Sequence, residues 1–161
     1  MDHEGHAKIG DFGLVKPDMN INEFTYSFCG SAEYMPPEML LKCGHSYPVD
    51  YYCLGALLYE VSLSILINYK LVTGLPPFYS INNDEICERV LTEELMFPSH
   101  AFNLSVDLKD LIRGLLKKNP YERMGNQGGI KEILSHPWFE KINIKDMLEK
   151  KIQPPIKPDI L

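Results

Sequence analysis

The sequence predicts a mainly α-helical fold with one small β-hairpin near its start. Three observations carry that prediction. Apolar residues recur at helical spacing in successive stretches, capping residues stand ahead of several of them, and period-two alternation is confined to residues 6–9. At 161 residues the chain has the size of one ordinary domain, large enough to bury a core without disulfide staples.

The elements follow in order. Residues 6–9 alternate weakly and stop at Gly10, which predicts a short hairpin turning around Gly5. Residues 14–34 are polar, with no sustained period, and a loop this long inside a domain is usually functional. Pro36 and Pro37 open a short helix over residues 38–41, because proline is tolerated in a first turn. Asp50 is expected to cap the apolar helix that follows. Leu75-Pro76-Pro77-Phe78 is a rigid turn. Asn82 with Glu85 reads as a capping box for a helix whose inner face is Ile86, Val90 and Leu91. Ser105 caps the next helix, with Leu108, Leu111, Ile112, Leu115 and Leu116 on one side. Lys117 and Lys118 suit its C-terminal end, and Asn119-Pro120 stops it. A last short helix carries Ile130, Ile133 and Leu134 and ends at Pro137.

Composition narrows the function classes. The chain is 45% apolar and 24% charged, average for a globular protein. Its 16 basic and 22 acidic residues give a net charge of -6, so no general attraction to nucleic acid or an acidic membrane is expected. Cys29, Cys43, Cys53 and Cys87 form no C-x-x-C pair and have no histidine at zinc-finger spacing. They read as reduced thiols of a protein in the cytoplasm or nucleus. Residues 51–72 are apolar and long enough for a membrane span, but Glu60 near their middle would cost about 3 kcal/mol on insertion. A buried helix is expected there, and no membrane span. The first residues lack the apolar core of a signal peptide.

Asp11-Phe12-Gly13 follows the expected hairpin directly. Alone, these three residues suit an ordinary turn. They are followed in order by Ser27-Phe28-Cys29-Gly30-Ser31-Ala32-Glu33-Tyr34-Met35-Pro36-Pro37-Glu38, Asp50-Tyr51-Tyr52-Cys53-Leu54-Gly55 and Gly74-Leu75-Pro76-Pro77-Phe78. Asn119-Pro120-Tyr121-Glu122-Arg123-Met124-Gly125 and His136-Pro137-Trp138-Phe139 complete the series. The series resembles the C-terminal lobe of a eukaryotic Ser/Thr protein kinase. Phe28-Cys29-Gly30-Ser31, and the tail from Ile142-Asn143-Ile144 to Lys151-Ile152-Gln153-Pro154-Pro155-Ile156-Lys157-Pro158, resemble the AGC group, near the Akt, SGK and ribosomal S6 kinase types.

The resemblance implies a partial kinase domain over residues 1–139, truncated before the D-F-G motif, and the start of an AGC-type C-terminal extension over 140–161. It implies that Asp11 is the carboxylate that meets Mg²⁺ and, through it, the nucleotide, with Phe12 packed beneath and Gly13 supporting the turn. By the same match, Ser27 is the activation-loop phosphosite and Ser31 positions the substrate hydroxyl. Glu38 and Arg123 form a buried structural pair, and Asp50 braces the catalytic loop. ATP and Mg²⁺ are the implied cofactors of the complete kinase; protein substrates and an upstream activating kinase are its implied partners.

The departures matter as much. The 161 residues contain no Gly-rich phosphate loop, no strand lysine and no H-R-D-x-x-x-x-N catalytic loop, so no catalytic residue is assigned. The glycines at 125–129 follow a helix end rather than a strand and do not make a nucleotide loop. Residues 61–70 are an insertion relative to the family pattern, expected to be a poorly packed extension of the central helix or a bulge. Pro36 stands for the usual Ala of A-P-E, Ala32 for a Pro and Tyr52 for a Trp. Two readings stand: a kinase fragment inactive alone, binding neither ATP nor Mg²⁺ tightly, or a non-catalytic interaction module, pseudokinase-like in character.

Overall fold

A computed structural model of the chain describes residues 1–20, 23–66, 74–99, 101 and 104–154. Its helices are α1 (Pro37–Leu40), α2 (Pro48–Leu66), α3 (Asn83–Thr92), α4 (Val106–Leu115), α5 (Gly129–Leu134) and α6 (Ile144–Leu148). Single 3-10 turns stand at Phe12–Leu14, Ala32–Tyr34 and Pro137–Phe139.

Helix α2 organises the rest. It begins at Pro48, whose fixed φ suits a first helical position. Asp50 therefore lies inside the first turn and is not the cap expected of it. There its charge still favours the N-terminal end of the helix dipole. Tyr52, Ala56, Tyr59 and Leu63 repeat at helical spacing and are buried against Ile86 and Val90 of α3, Ile112 of α4, Leu116 and Phe78. Burying side chains of this size contributes roughly 1.5–3 kcal/mol each. A second cluster of Leu111, Leu115 and Ile133 packs with Tyr51 and Leu54 on the neighbouring face of α2 and with Trp138 of the Pro137–Phe139 turn.

Close approach of α2 to α4 depends on Gly55. A β-carbon there would lie 2.8 Å from Leu115 Cβ and 3.0 Å from Leu116 Cγ. The outer helices are fixed by their caps. Asn82 accepts from Asp84 N at 2.9 Å, and Ser105 accepts from Leu108 N at 3.1 Å. The reciprocal half of the capping box does not form, because Glu85 binds Ser80 Oγ at 2.5 Å and Arg89 instead.

The expected hairpin is corrected to a turn. Gly5 (φ 96°) closes it, with Asp2 N donating to His6 O at 2.8 Å, but no strand flanks it among the described residues. Residues 7–10 are exposed, and a two-stranded ribbon without a covering layer is marginal in water. An antiparallel bridge joins Thr25 to His45, each backbone N–H donating to the other's carbonyl at 2.9 Å.

The insertion at 61–70 also differs in part from expectation. Its first six residues continue α2, and Leu63 is 4% exposed within the main core cluster. Residues 67–70 lie outside the described ones. Among the described residues no helix is long and apolar enough to cross a membrane.

Candidate functional site

Asp11 adopts the left-handed conformation (φ 59°, ψ 70°) at the head of the Phe12–Leu14 turn. Aspartate is among the few non-glycine residues that tolerate it. Val15 N donates to Phe12 O at 3.2 Å and closes the turn. The Asp11 side chain stands exposed, and a β-carbon on Gly13 would lie 3.4 Å from its Oδ1. Phe12 is 65% exposed and belongs to neither buried cluster, so it does not pack beneath Asp11 as the resemblance implied. Sequence position brings Phe12 to the turn, but no apolar layer of these residues covers it.

Three of the sequence-predicted residues meet at one cavity. Asp11, Ser27 and Asp50 all line a space of about 550 Å³, together with Thr25, His45 and Ser46. Ser27 Oγ is 3.4 Å from Thr25 Oγ1, and Thr25 is the residue pinned to His45. The Asp50 carboxylate accepts no hydrogen bond among the described residues, and desolvation raises it above the usual carboxylate range. Ser31 is not brought to this cavity. It is exposed, and its carbonyl accepts from Tyr34 N at 3.1 Å.

Glu38 and Arg123 meet in the interior, 4% and 1% exposed. The pairing is bidentate: Arg123 Nη1 donates to Glu38 Oε1 at 2.6 Å and Nη2 to Oε2 at 2.9 Å. Nη1 also donates to Pro48 O at 2.9 Å, Nη2 to Lys118 O at 3.4 Å and Nε to Lys117 O at 3.0 Å. A guanidinium has five N–H donors, and here each has an acceptor. The guanidinium also stands 5.0 Å from the centre of the Tyr52 ring. One side chain thereby joins α1, the start of α2 and the segment after α4.

One pair escaped the sequence reading. The Tyr34 hydroxyl donates to Glu60 Oε2, and this bond, with some burial, pushes the phenol up to about 12. Cys53 Sγ donates to Tyr34 O at 3.4 Å, so Tyr34 is tied to α2 at both its ends. Burial pushes the Cys53 thiol up to about 11, which leaves it unreactive. The available signal was Glu60 itself. A lone acid in an apolar helix calls for a partner, though nothing local says which.

The residues present do not by themselves make a resident metal site. Mg²⁺ takes a near-octahedral set of oxygens. Among the described residues no group of three His, Cys, Asp or Glu side chains converges, and Asp11 offers one exposed carboxylate.

The chain is similar to known proteins along nearly its whole length. The protein kinase domain family matches residues 1–139. Serine/threonine-protein kinase gad8 of Schizosaccharomyces pombe is 42% identical over 160 residues, covering 99% of this chain and 26% of that protein. Serine/threonine-protein kinase Sgk1 of Homo sapiens is 38% identical over 160 residues (99% of this chain, 34% of the relative). Serine/threonine-protein kinase YPK1 of Saccharomyces cerevisiae is 39% identical over the same length (99% and 22%). The chain thus spans about a quarter to a third of the length of these relatives. With its ordered AGC-type motifs and its match along nearly the whole chain, this protein belongs to the protein kinase domain family, among the Ser/Thr kinases.

Proposed function

We propose that these residues form the C-terminal lobe of an AGC-type kinase, which in complete form transfers the γ-phosphoryl of ATP to serine or threonine of a protein. The observation that supports this most is the meeting of Asp11, Ser27 and Asp50 at one cavity, beside a segment held by Arg123. Residues 1–139 are read as the partial domain and 140–161 as the start of the C-terminal extension. Mg²⁺ and ATP, when bound in the complete protein, supply the transferable group and the charge that neutralises it.

Each residue here has a simpler task. Asp11 presents a hard oxygen donor on an exposed turn. Ser27 is the acceptor for an upstream activating kinase, and a phosphate there would draw basic side chains onto the loop. Lys16, which lines the same cavity, is one such side chain. Ser31 helps to place the substrate hydroxyl. Asp50 keeps an unpaired carboxyl for the catalytic loop it would brace. Glu38, Arg123 and Gly13 serve structure. The setting is the cytoplasm or the nucleus.

This chain alone is read as inactive. No motif in its sequence matches the lysine that orients the phosphates or the aspartate that receives the substrate proton. A radiolabelled-ATP assay on the purified 161-residue chain tests this, with Asp11→Ala as control. Incorporation equal in the two chains is expected; transfer that depends on Asp11 would overturn the inactive reading. The alternative, an interaction module, is favoured by the exposed aromatic rings of Phe12, Phe24, Tyr26 and Phe28.

A further inference from the structure

Ser27 looks across a backbone pairing at a histidine. Thr25 and His45 stand directly opposite each other, because each backbone N–H donates to the other's carbonyl at 2.9 Å. The side chains of such a pair leave the backbone on one face, and the residue two positions along shares it. Ser27 keeps to that face, its Oγ 3.4 Å from Thr25 Oγ1. Diagonal neighbours of this kind lie about 7–8 Å apart, a gap that a phosphoryl group from one side and an imidazole from the other can span. Ser27, Thr25, His45 and Lys16 all line the cavity of about 550 Å³.

The His45 ring is free to respond. The residue is 7% exposed, and neither ring nitrogen makes a hydrogen bond among the described residues. The fully buried polar atoms without partners among those residues are Ser46 Oγ and Tyr52 Oη, so the unbonded His45 nitrogens keep open surface. Burial lowers the ring's pKa, with Glu38 of α1 acting against this and Lys16 with it. Both Glu38 oxygens are held by Arg123. Asp11, Asp18 and Asp50 of α2 also border the cavity, and Lys118 borders the space on the other side of His45. The unmodified cavity thus keeps a neutral imidazole beside one ammonium. A phosphoryl group brings a charge of about -1.5 to -2, which Lys16 alone does not balance among these carboxylates. An anion beside the ring also favours its charged form. We propose that a phosphoryl group on Ser27 is received by the protonated ring of His45 beside Lys16, so that phosphorylation draws a proton onto His45 and the hold on the loop weakens as that ring deprotonates. The proposal rests on the reading of Ser27 as the activation-loop acceptor.

The 161-residue chain is prepared with Ser27 as phosphoserine, and its imidazole and phosphorus signals are titrated by NMR between about pH 5 and 9. The His45 pKa should rise by about one unit over that of the unmodified chain, with His136 unmoved. By reciprocity the phosphate's own pKa should fall below its usual value of about 6, and return toward it in His45→Gln. A His45 titration that the phosphate leaves unmoved would overturn the proposal, as would an equal rise when the phosphoserine replaces the exposed Ser31 instead. Should His45→Gln not fold, these two comparisons in the native background still decide. Incubation of the unmodified chain with an AGC-type activating kinase separates the underlying reading. Ser27 left unmodified there, with the His45 rise present in the phosphoserine chain, counts against the acceptor assignment alone and leaves His45 as the receiver of a phosphate at this position.

Discussion

At the scale of single residues, Arg123 shows what a buried charge requires. All its donors are matched, and removing the side chain would leave the Glu38 carboxylate buried without its partner. Arg123→Ala should therefore lower stability by about 3–5 kcal/mol. Lys131→Ala, at an exposed position, should change it by no more than about 0.5 kcal/mol. Urea unfolding of the two variants checks the contrast. His45 behaves oppositely, as a group best kept neutral. Burial lowers its pKa from 6.5 in the folded chain, with Glu38 opposing and Lys16 assisting the shift. Between that lowered value and 6.5 the unfolded chain binds more protons, so stability falls as pH falls through this window. The slope contributed is at most about 1.4 kcal/mol per pH unit. Unfolding midpoints measured across this range should flatten in His45→Gln.

At the scale of elements, the α2–α4 crossing sets two effects against each other. Gly55→Ala improves helix propensity by about 1 kcal/mol. It also places a methyl 2.8 Å from Leu115 Cβ, and overpacking of that kind costs about 1–3 kcal/mol. The contact is with a β-carbon, which cannot swing away, so the variant should be destabilised; thermal unfolding tests the sign. Elements were also where the sequence was most legible. Ser105 and Asn82 could be read as caps because a cap and the amide it accepts from are three residues apart or fewer. The same locality misled at Asp50, where Pro48 starts the helix two residues earlier. It misled again at Gly5, where a turn could be read but the absence of a covering layer could not. Leu63 falls on the buried face of α2 although it lies in the insertion, because the helical period carries through. Of the candidate site, the positions of Asp11 and Ser27 were legible through their motifs. The bond between Tyr34 and Glu60 was not, because it depends on which turn α2 packs against.

At the scale of the whole molecule, the stretch from the D-F-G turn into the loop exposes Phe12, Leu14, Val15, Phe24, Tyr26 and Phe28. Apolar surface of this extent promotes association, and a net charge of -6 opposes it only over a short range in physiological salt. The chain should self-associate with rising concentration. Phe12→Ser combined with Leu14→Ser should raise the onset seen by light scattering without moving the unfolding midpoint, since both residues lie outside the buried clusters. The Glu38–Arg123 bridge has another consequence at this scale, in the order of folding events. Its partners are 85 positions apart, so joining them requires closing a long loop. Its acceptors Pro48 O and Lys117 O belong to the start of α2 and the segment after α4, so those helices must dock before the guanidinium can be enclosed. A contact completed that late does little to speed the chain into its native state. It acts instead on the return path, slowing unfolding and so lengthening the lifetime of the folded lobe.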